Sequence, residues 1–169
     1  MATTTMSDPR ELFLHELGDV LYAEQTLVKA LPKLQGEASD PELASGFADH
    51  LEETRQHVEN LKLAFEELGE PAKAEKCPGI EGIRKEHDEF VSNESPSAEV
   101  LNAFLTGAGA RTEHYEIAAY EGLITMADAM GETNVVELLT QNLDQEKKAL
   151  TKMQSIGKRL AQEGAKATV

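Results

Sequence analysis

Apolar residues recur at intervals of three and four along most of the chain, in four long stripes separated by proline and glycine. That spacing puts them on one face of an α-helix and does not match the alternation of a half-buried strand. No period-two run rich in β-branched residues is long enough to suggest a sheet. Asp8-Pro9, followed by Glu11, reads as an N-cap, a proline in the first turn and an acid at the positive helix end. The first stripe then runs through Phe13, Leu17, Val20, Leu21, Leu27, Val28, Leu31 and Leu34 to about Gly36, with Pro32 as a candidate kink. Asp40-Pro41 repeats the start signal, and Leu43, Phe47, Leu51, Val58, Leu61, Phe65 and Leu68 follow before Gly69 and Pro71 close the second helix.

Residues 70–97 break the rhythm with Pro71, Pro78, Gly79, Gly82 and Pro96, and carry only a weak apolar set at Ile80, Ile83, Phe90 and Val91. This pattern predicts a long crossover holding a short helix. Ser97 caps a third long helix, whose stripe of Leu101, Leu105, Tyr120, Leu123 and Ala127 ends at Gly131. The fourth spans about Thr133 to Glu163, with Val135, Leu139, Leu143, Leu150, Met153 and Leu160, ahead of Gly164 and a loose tail. The expected fold is all-α, a ferritin-like four-helix bundle of two antiparallel hairpins joined by a crossover with a short extra helix. A length of 169 residues is met by one domain over 1–169, with a core at about 10–163 and loose termini.

Charge narrows the function. Asp and Glu number 31 against 16 Lys and Arg, a net charge of -15 with no concentrated basic patch. Nucleic acid and anionic membrane surfaces would be repelled, so neither is an expected partner. The segment Met1 to Met6 lacks the basic and apolar regions of a signal peptide, no run approaches a membrane span, and a cytoplasmic location is expected. Cys77 is the only cysteine, which excludes an intramolecular disulfide and a thiolate zinc cluster; beside Pro78, it is a candidate exposed thiol. With no Trp and 5% aromatic residues, a platform for stacking bases is not expected.

The functional signal is carboxylate where leucine belongs. On helical wheels Glu24 falls at the centre of the first stripe, among Leu17, Leu21, Val28 and Leu31. Glu116 is central in the third helix beside Thr112, Tyr120 and Leu123, and Glu113 lies three residues earlier on the same side. Glu146 is surrounded by Leu139, Asn142, Leu143, Leu150 and Met153 in the fourth. Several inward acids would be severely destabilising without a compensating positive charge, which metal cations supply. Carboxylate-rich coordination suits iron or manganese better than zinc. The competing explanation is that these acids pair with lysine or arginine, or face water. In the second helix the stripe centre is Thr54, while His50, Glu53 and His57 form a displaced line; Glu53 is the natural fifth carboxylate, and each histidine is either a ligand or a hydrogen-bonding partner. His15, His87 and His114 project off the stripes and are assigned no role.

These residues resemble the ferritin-like YciE/YciF family of small bacterial stress-associated proteins, long described only as a domain of unknown function. The resemblance covers roughly residues 10 to 160 and rests on Ala23-Glu24-Gln25, His50-Leu51-Glu52-Glu53-Thr54, Glu113-His114-Tyr115-Glu116-Ile117-Ala118-Ala119-Tyr120 and Gln145-Glu146-Lys147. More distantly the pattern is similar to rubrerythrin and other di-iron carboxylate proteins, in which one helix supplies two glutamates three apart, as Glu113 and Glu116 are. The usual Glu-x-x-His pairs are absent, with Gln56 three after Glu53 and Ala149 three after Glu146. The resemblance then implies that His50 or His57 replaces the missing ligand, and that the Tyr120 phenol supports the site.

The leading expectation is therefore a metal-binding, di-iron or iron/manganese protein that reacts with oxygen or peroxide under stress, with Glu24, His50, Glu53, Glu113, Glu116 and Glu146 as its metal site. The resemblance further implies a homodimer through a helical face. The alternative is a non-catalytic structural or interaction bundle with a degenerate metal site, favoured by the missing histidines.

Overall fold

The computed structural model describes residues 6–167. Residues 1–5 and 168–169, which take in the outer parts of the termini expected to be loose, lie outside the described residues. Five helices and no strand occur among those described: α1 (Pro9–Glu37), α2 (Pro41–Glu67), α3 (Pro78–Glu94), α4 (Ala98–Met130) and α5 (Thr133–Ala167).

The starts follow from local chemistry. Each helix has backbone N–H groups without an intrahelical acceptor in its first turn, and a side chain at the N-cap takes one of them. Asp8 Oδ1 accepts from Arg10 N at 2.9 Å, and Asp40 Oδ1 from Leu43 N at 3.0 Å. Ser97 Oγ accepts from Val100 N at 3.4 Å. The stops after α2 and α4 use Gly69 and Gly131, both left-handed at φ of 71° and 76°.

Helix α1 passes through Pro32 and ends at Glu37, within a residue of the expected end at about Gly36. Two boundaries differ from the sequence expectation. Helix α5 runs on through Gly164 to Ala167, so this stretch is helical and not a loose tail. A glycine stops a helix only where the backbone turns left-handed; elsewhere it costs about 1 kcal/mol, which an exposed last turn tolerates. Helix α3 is 17 residues long, not short, since Pro78 is suited to a first helical position and Cys77 acts as its N-cap.

Helix α1 packs on α2 and α4, and α5 packs on the same two helices. Arg10, at the start of α1, donates to Leu68 O beyond the end of α2 at 3.0 Å, so these two run antiparallel. Asn134 to Glu67 and Arg159 to Asp40 set α5 antiparallel to α2, and Asn102 to Ser39 does the same for α4 and α1. The crossover ahead of α3 lies on α1, where Glu75 N donates to Gly18 O at 2.9 Å. Two apolar clusters fill the interior. One gathers Phe13, Leu17, Leu61, Phe65, Leu123 and Leu139; the other gathers Leu27, Leu43, Phe47, Leu105, Met153 and Ile156. Along every one of these four helices a short polar stretch separates the two.

Candidate metal centre

The separating stretch is where the inward acids fall. Glu24 comes from α1, His50 and His57 from α2, Glu113 and Glu116 from α4 and Glu146 from α5, and all six are buried. His50, Glu113, Glu116 and Glu146 each bring a ligand-type atom within 4.8 Å of the others, and Glu24, His57 and Glu146 form a second such group. Both groups are positioned to hold a cation, and Glu146 belongs to both. His50 Nε2 lies 3.5 Å from Glu113 Oε1 and 3.8 Å from Glu146 Oε2. His57 Nδ1 lies 3.2 Å from Glu24 Oε1 and 2.9 Å from Glu146 Oε1. Glu53 stands apart: its half-exposed carboxylate approaches His50 Nδ1 at 3.4 Å and enters neither group.

Polar atoms here are incompletely partnered: His57 Nδ1 lies at ion-pair distance from Glu24 and Glu146 without the alignment of a hydrogen bond. Among the described residues, eight buried side-chain atoms form no hydrogen bond, and they are one oxygen each of Glu24 and Glu113, both oxygens of Glu116 and Glu146, His50 Nε2 and His57 Nδ1. All eight belong to this one layer. Buried polar groups are nearly always hydrogen-bonded, so a concentration of such atoms marks a layer that could hold a cation. The carboxylates of Glu24, Glu113 and Glu146 meet histidine, not lysine or arginine, within ion-pair distance.

Burial raises the carboxyl of Glu116 well above the usual range, and the charges of Glu24, Glu146 and Glu113 add to it. Burial does the same for Glu113, reinforced by Glu146 and Glu24, and for Glu24, where His57 partly offsets it. For Glu146 the burial is outweighed by His57, Glu113 and His50, which hold it at about 2. Burial would lower His57, yet Glu24 and Glu146 lift it to about 10. Without metal, Glu24 and Glu146 thus favour the charged form of His57, while burial disfavours the charged forms of Glu24, Glu113 and Glu116.

A hydrogen-bonded shell fixes these side chains. The Tyr120 hydroxyl donates to Glu24 Oε1, and Asn142 Nδ2 donates to Tyr120 Oη at 3.0 Å and to His57 O at 3.3 Å. Asn60 Nδ2 donates to Asn142 Oδ1 at 2.7 Å, and Asn60 Oδ1 accepts from Gln56 Nε2 at 2.9 Å. His57 Nε2 lies 2.7 Å from Gln145 Oε1. The tyrosine was a sequence candidate; Asn60 and Gln145 were not. Asn60 sits three residues after His57 on the same face, a spacing that signals contact only once the histidine is known to be buried.

Two sequence expectations are corrected. His87, given no role, is buried, with Nε2 2.7 Å from Glu37 Oε2 and Nδ1 3.2 Å from Asp88 Oδ1. The apolar stripe of α3 is too weak to orient its wheel. Cys77 is buried, not exposed: its Sγ accepts from Ile80 N at 3.4 Å and lies 2.9 Å from Tyr115 Oη. The cap and the crossover fold it under α3.

A family model described as a domain of unknown function, DUF892, matches residues 8–166. The chain belongs to the DUF892 family. Among its relatives, protein YciF of Escherichia coli is 36% identical over 143 residues, which is 84% of this chain and 86% of YciF. The crystal structure of the E. coli stress protein YciF superposes with a TM-score of 0.88 at 32% identity, covering 93% of this chain and 99% of that one. YcfI of Rhodopseudomonas palustris, described provisionally as a structural protein, superposes at 0.87 with 39% identity over 91% of this chain and 98% of its own. A protein of Xanthomonas campestris at 20% identity, TM-score 0.73, covering 96% of this chain and 99% of that one, shares the fold alone. The YciE/YciF resemblance seen in the sequence is thereby met. Among the described residues, no helix is long and apolar enough to cross a membrane.

Proposed function

We propose that this DUF892 protein is a ferritin-like four-helix bundle of one domain that holds two metal ions in the buried Glu/His layer. The ions are iron, with manganese as the alternative, and the protein reacts with oxygen or peroxide in a bacterial stress response. The observation that carries this reading is the set of eight orphaned atoms converging from four helices. His50, Glu113, Glu116 and Glu146 would hold one ion, and Glu24, His57 and Glu146 the other. Glu53 would join from the rim, where it already reaches His50. An oxygen-rich set with two imidazoles suits iron or manganese, and a bound ferrous pair would supply two electrons to an oxidant. The chain's own contribution is orientation and dryness. Tyr120 and Asn142 hold Glu24 and His57 in place, and the two apolar clusters keep bulk water out.

Untagged protein incubated anaerobically with ferrous iron tests this. Two tightly bound irons per chain are expected, lost in the Glu24→Ala/Glu116→Ala double variant; no specific iron in either protein would overturn the reading. That second result is what a non-catalytic interaction bundle predicts. Gln56 and Ala149 at the positions of the missing histidines favour it, as does the balance that His57 gives Glu146 without metal. We infer in addition a cytoplasmic homodimer. Leu12 on α1 and Leu63 on α2, both exposed, are apolar side chains such a contact would cover, and light scattering after gel filtration reads the mass.

A further inference from the structure

Helix α3 roofs a cavity more than it fills one. Of its residues only Ile80 and His87 are buried, and polar contacts tie it to α1: Tyr22 to Glu81 at 2.7 Å, Lys33 to Asp88 at 2.8 Å and His87 to Glu37 at 2.7 Å. Beneath it is a space of about 410 Å³ with Leu27, Leu31, Phe47, Ile80 and Ala108 among its walls. The same cavity reaches His50 and Glu113. Their Nε2 and Oε2 atoms are buried without hydrogen-bond partners, at 5% and 3% residue exposure. The space is therefore apolar along its walls and able to hydrogen-bond where it meets the acid layer.

We propose that this cavity binds an uncharged, unbranched alkyl molecule with a hydroxyl-type head, the head lying against His50 and Glu113. In the metal-free protein, where His50 and Glu113 hold no ion, such a head both donates and accepts, so it satisfies a carboxyl group and either tautomer of the imidazole. A carboxylate head is disfavoured. Its charge would be buried at the inner end with no cation facing it, because the rim cations Lys33 and Arg84 are already engaged by Asp88 and Glu81. Lys29, exposed on the rim, would favour an acid over an alcohol, and the test below separates the two. Size sets the chain length. A cavity of about 150 Å³ holds benzene, so this one accommodates roughly ten to fifteen non-hydrogen atoms.

Resting on the metal reading above, the proposal makes the oxidant of that centre an alkyl hydroperoxide. A ferrous pair held by the Glu/His layer would supply the two electrons that, with two protons from solvent, convert such a hydroperoxide to the alcohol and water. The alcohol is then the product and also a stable probe of the seat.

Metal-free protein is titrated calorimetrically with primary alcohols from hexanol to tetradecanol and with decanoate. Affinity should rise about fourfold per methylene and then level off once the cavity is full. Decanoate should bind more weakly than decanol. Ala108→Phe should weaken decanol about tenfold or more, the equivalent of two lost methylenes, while leaving the bound iron unchanged. If that variant does not fold, Ala30→Phe on the half-buried wall of α1 replaces it. Affinity that climbs without a length limit, that ignores both variants, or that favours decanoate would overturn the proposal. Iron binding without alcohol binding removes the cavity assignment alone; alcohol binding without iron binding removes the hydroperoxide chemistry and leaves the cavity.

Discussion

Glu116 has two carboxylate oxygens without a hydrogen-bond partner in a residue 1% exposed. Leaving a buried polar group unsatisfied costs about 1–3 kcal/mol, and an apolar residue of similar shape avoids that cost. Metal-free Glu116→Met should therefore melt higher than the metal-free parent by roughly 2–10 °C, while binding less iron. A lower melting temperature by calorimetry would mean that Glu116 has a stabilising role without metal. The placement of this residue was legible because an acid at the centre of an apolar stripe has one consistent direction, inward. Glu24, Glu113 and Glu146 were legible on the same ground. His57 was not settled, because it lies off the centre of the α2 stripe, and only the packing of α2 between α1 and α5 decides which side of that stripe is interior. Glu53, on the same displaced line, ends half-exposed for the same reason.

At the scale of elements, the crossover is seated by one close approach. A Cβ on Gly18 would come within 2.6 Å of Lys73 O, a backbone atom that cannot rotate away. Gly18→Ala should thus lift residues 70–77 off α1, at about 1–3 kcal/mol, and expose them to limited proteolysis; an unchanged digestion pattern would refute this. Helix α2 is held at its start by Asp40, which caps Leu43 N and pairs with Arg159 at 2.7 Å. Burial would raise its carboxyl, but Arg159 and the Leu43 N–H outweigh burial and hold it below the usual 3.8. A depressed folded-state value means a contribution complete above the unfolded value and lost as pH falls through the folded one. Urea midpoints of the parent should fall more steeply below about pH 4 than those of Asp40→Asn, which keeps the cap and loses the charge. Parallel curves would remove the pair from the acid limb. The four long helices were legible from their Asp-Pro, Ser and Gly punctuation. The length of α3 was not, because its apolar residues are sparse: of that set only Ile80 is buried, in the second apolar cluster, and Phe90 stacks on Phe104 with ring centroids 3.9 Å apart.

For the whole molecule, the polar layer divides the interior into two apolar clusters, with Val28 of α1 packed against both. Three helices bring acids and α2 brings two histidines to one depth, so on the metal-binding reading each of the four would gain stability when a cation is bound. Binding to the folded state alone adds RT ln(1 + [L]/Kd), about 2.7 kcal/mol at a hundredfold excess over Kd. For a chain of this size that is a rise of roughly 5–11 °C in melting temperature. Anaerobic ferrous iron should produce it in the parent, chelation should reverse it, and Glu24→Ala/Glu116→Ala should show neither. The size of the shift also separates the two functions open to the fold. A bundle that has lost its chemistry keeps the protons and the His57–Glu146 pair in place of cations, and its melting curve is the same with iron, with chelator and with neither.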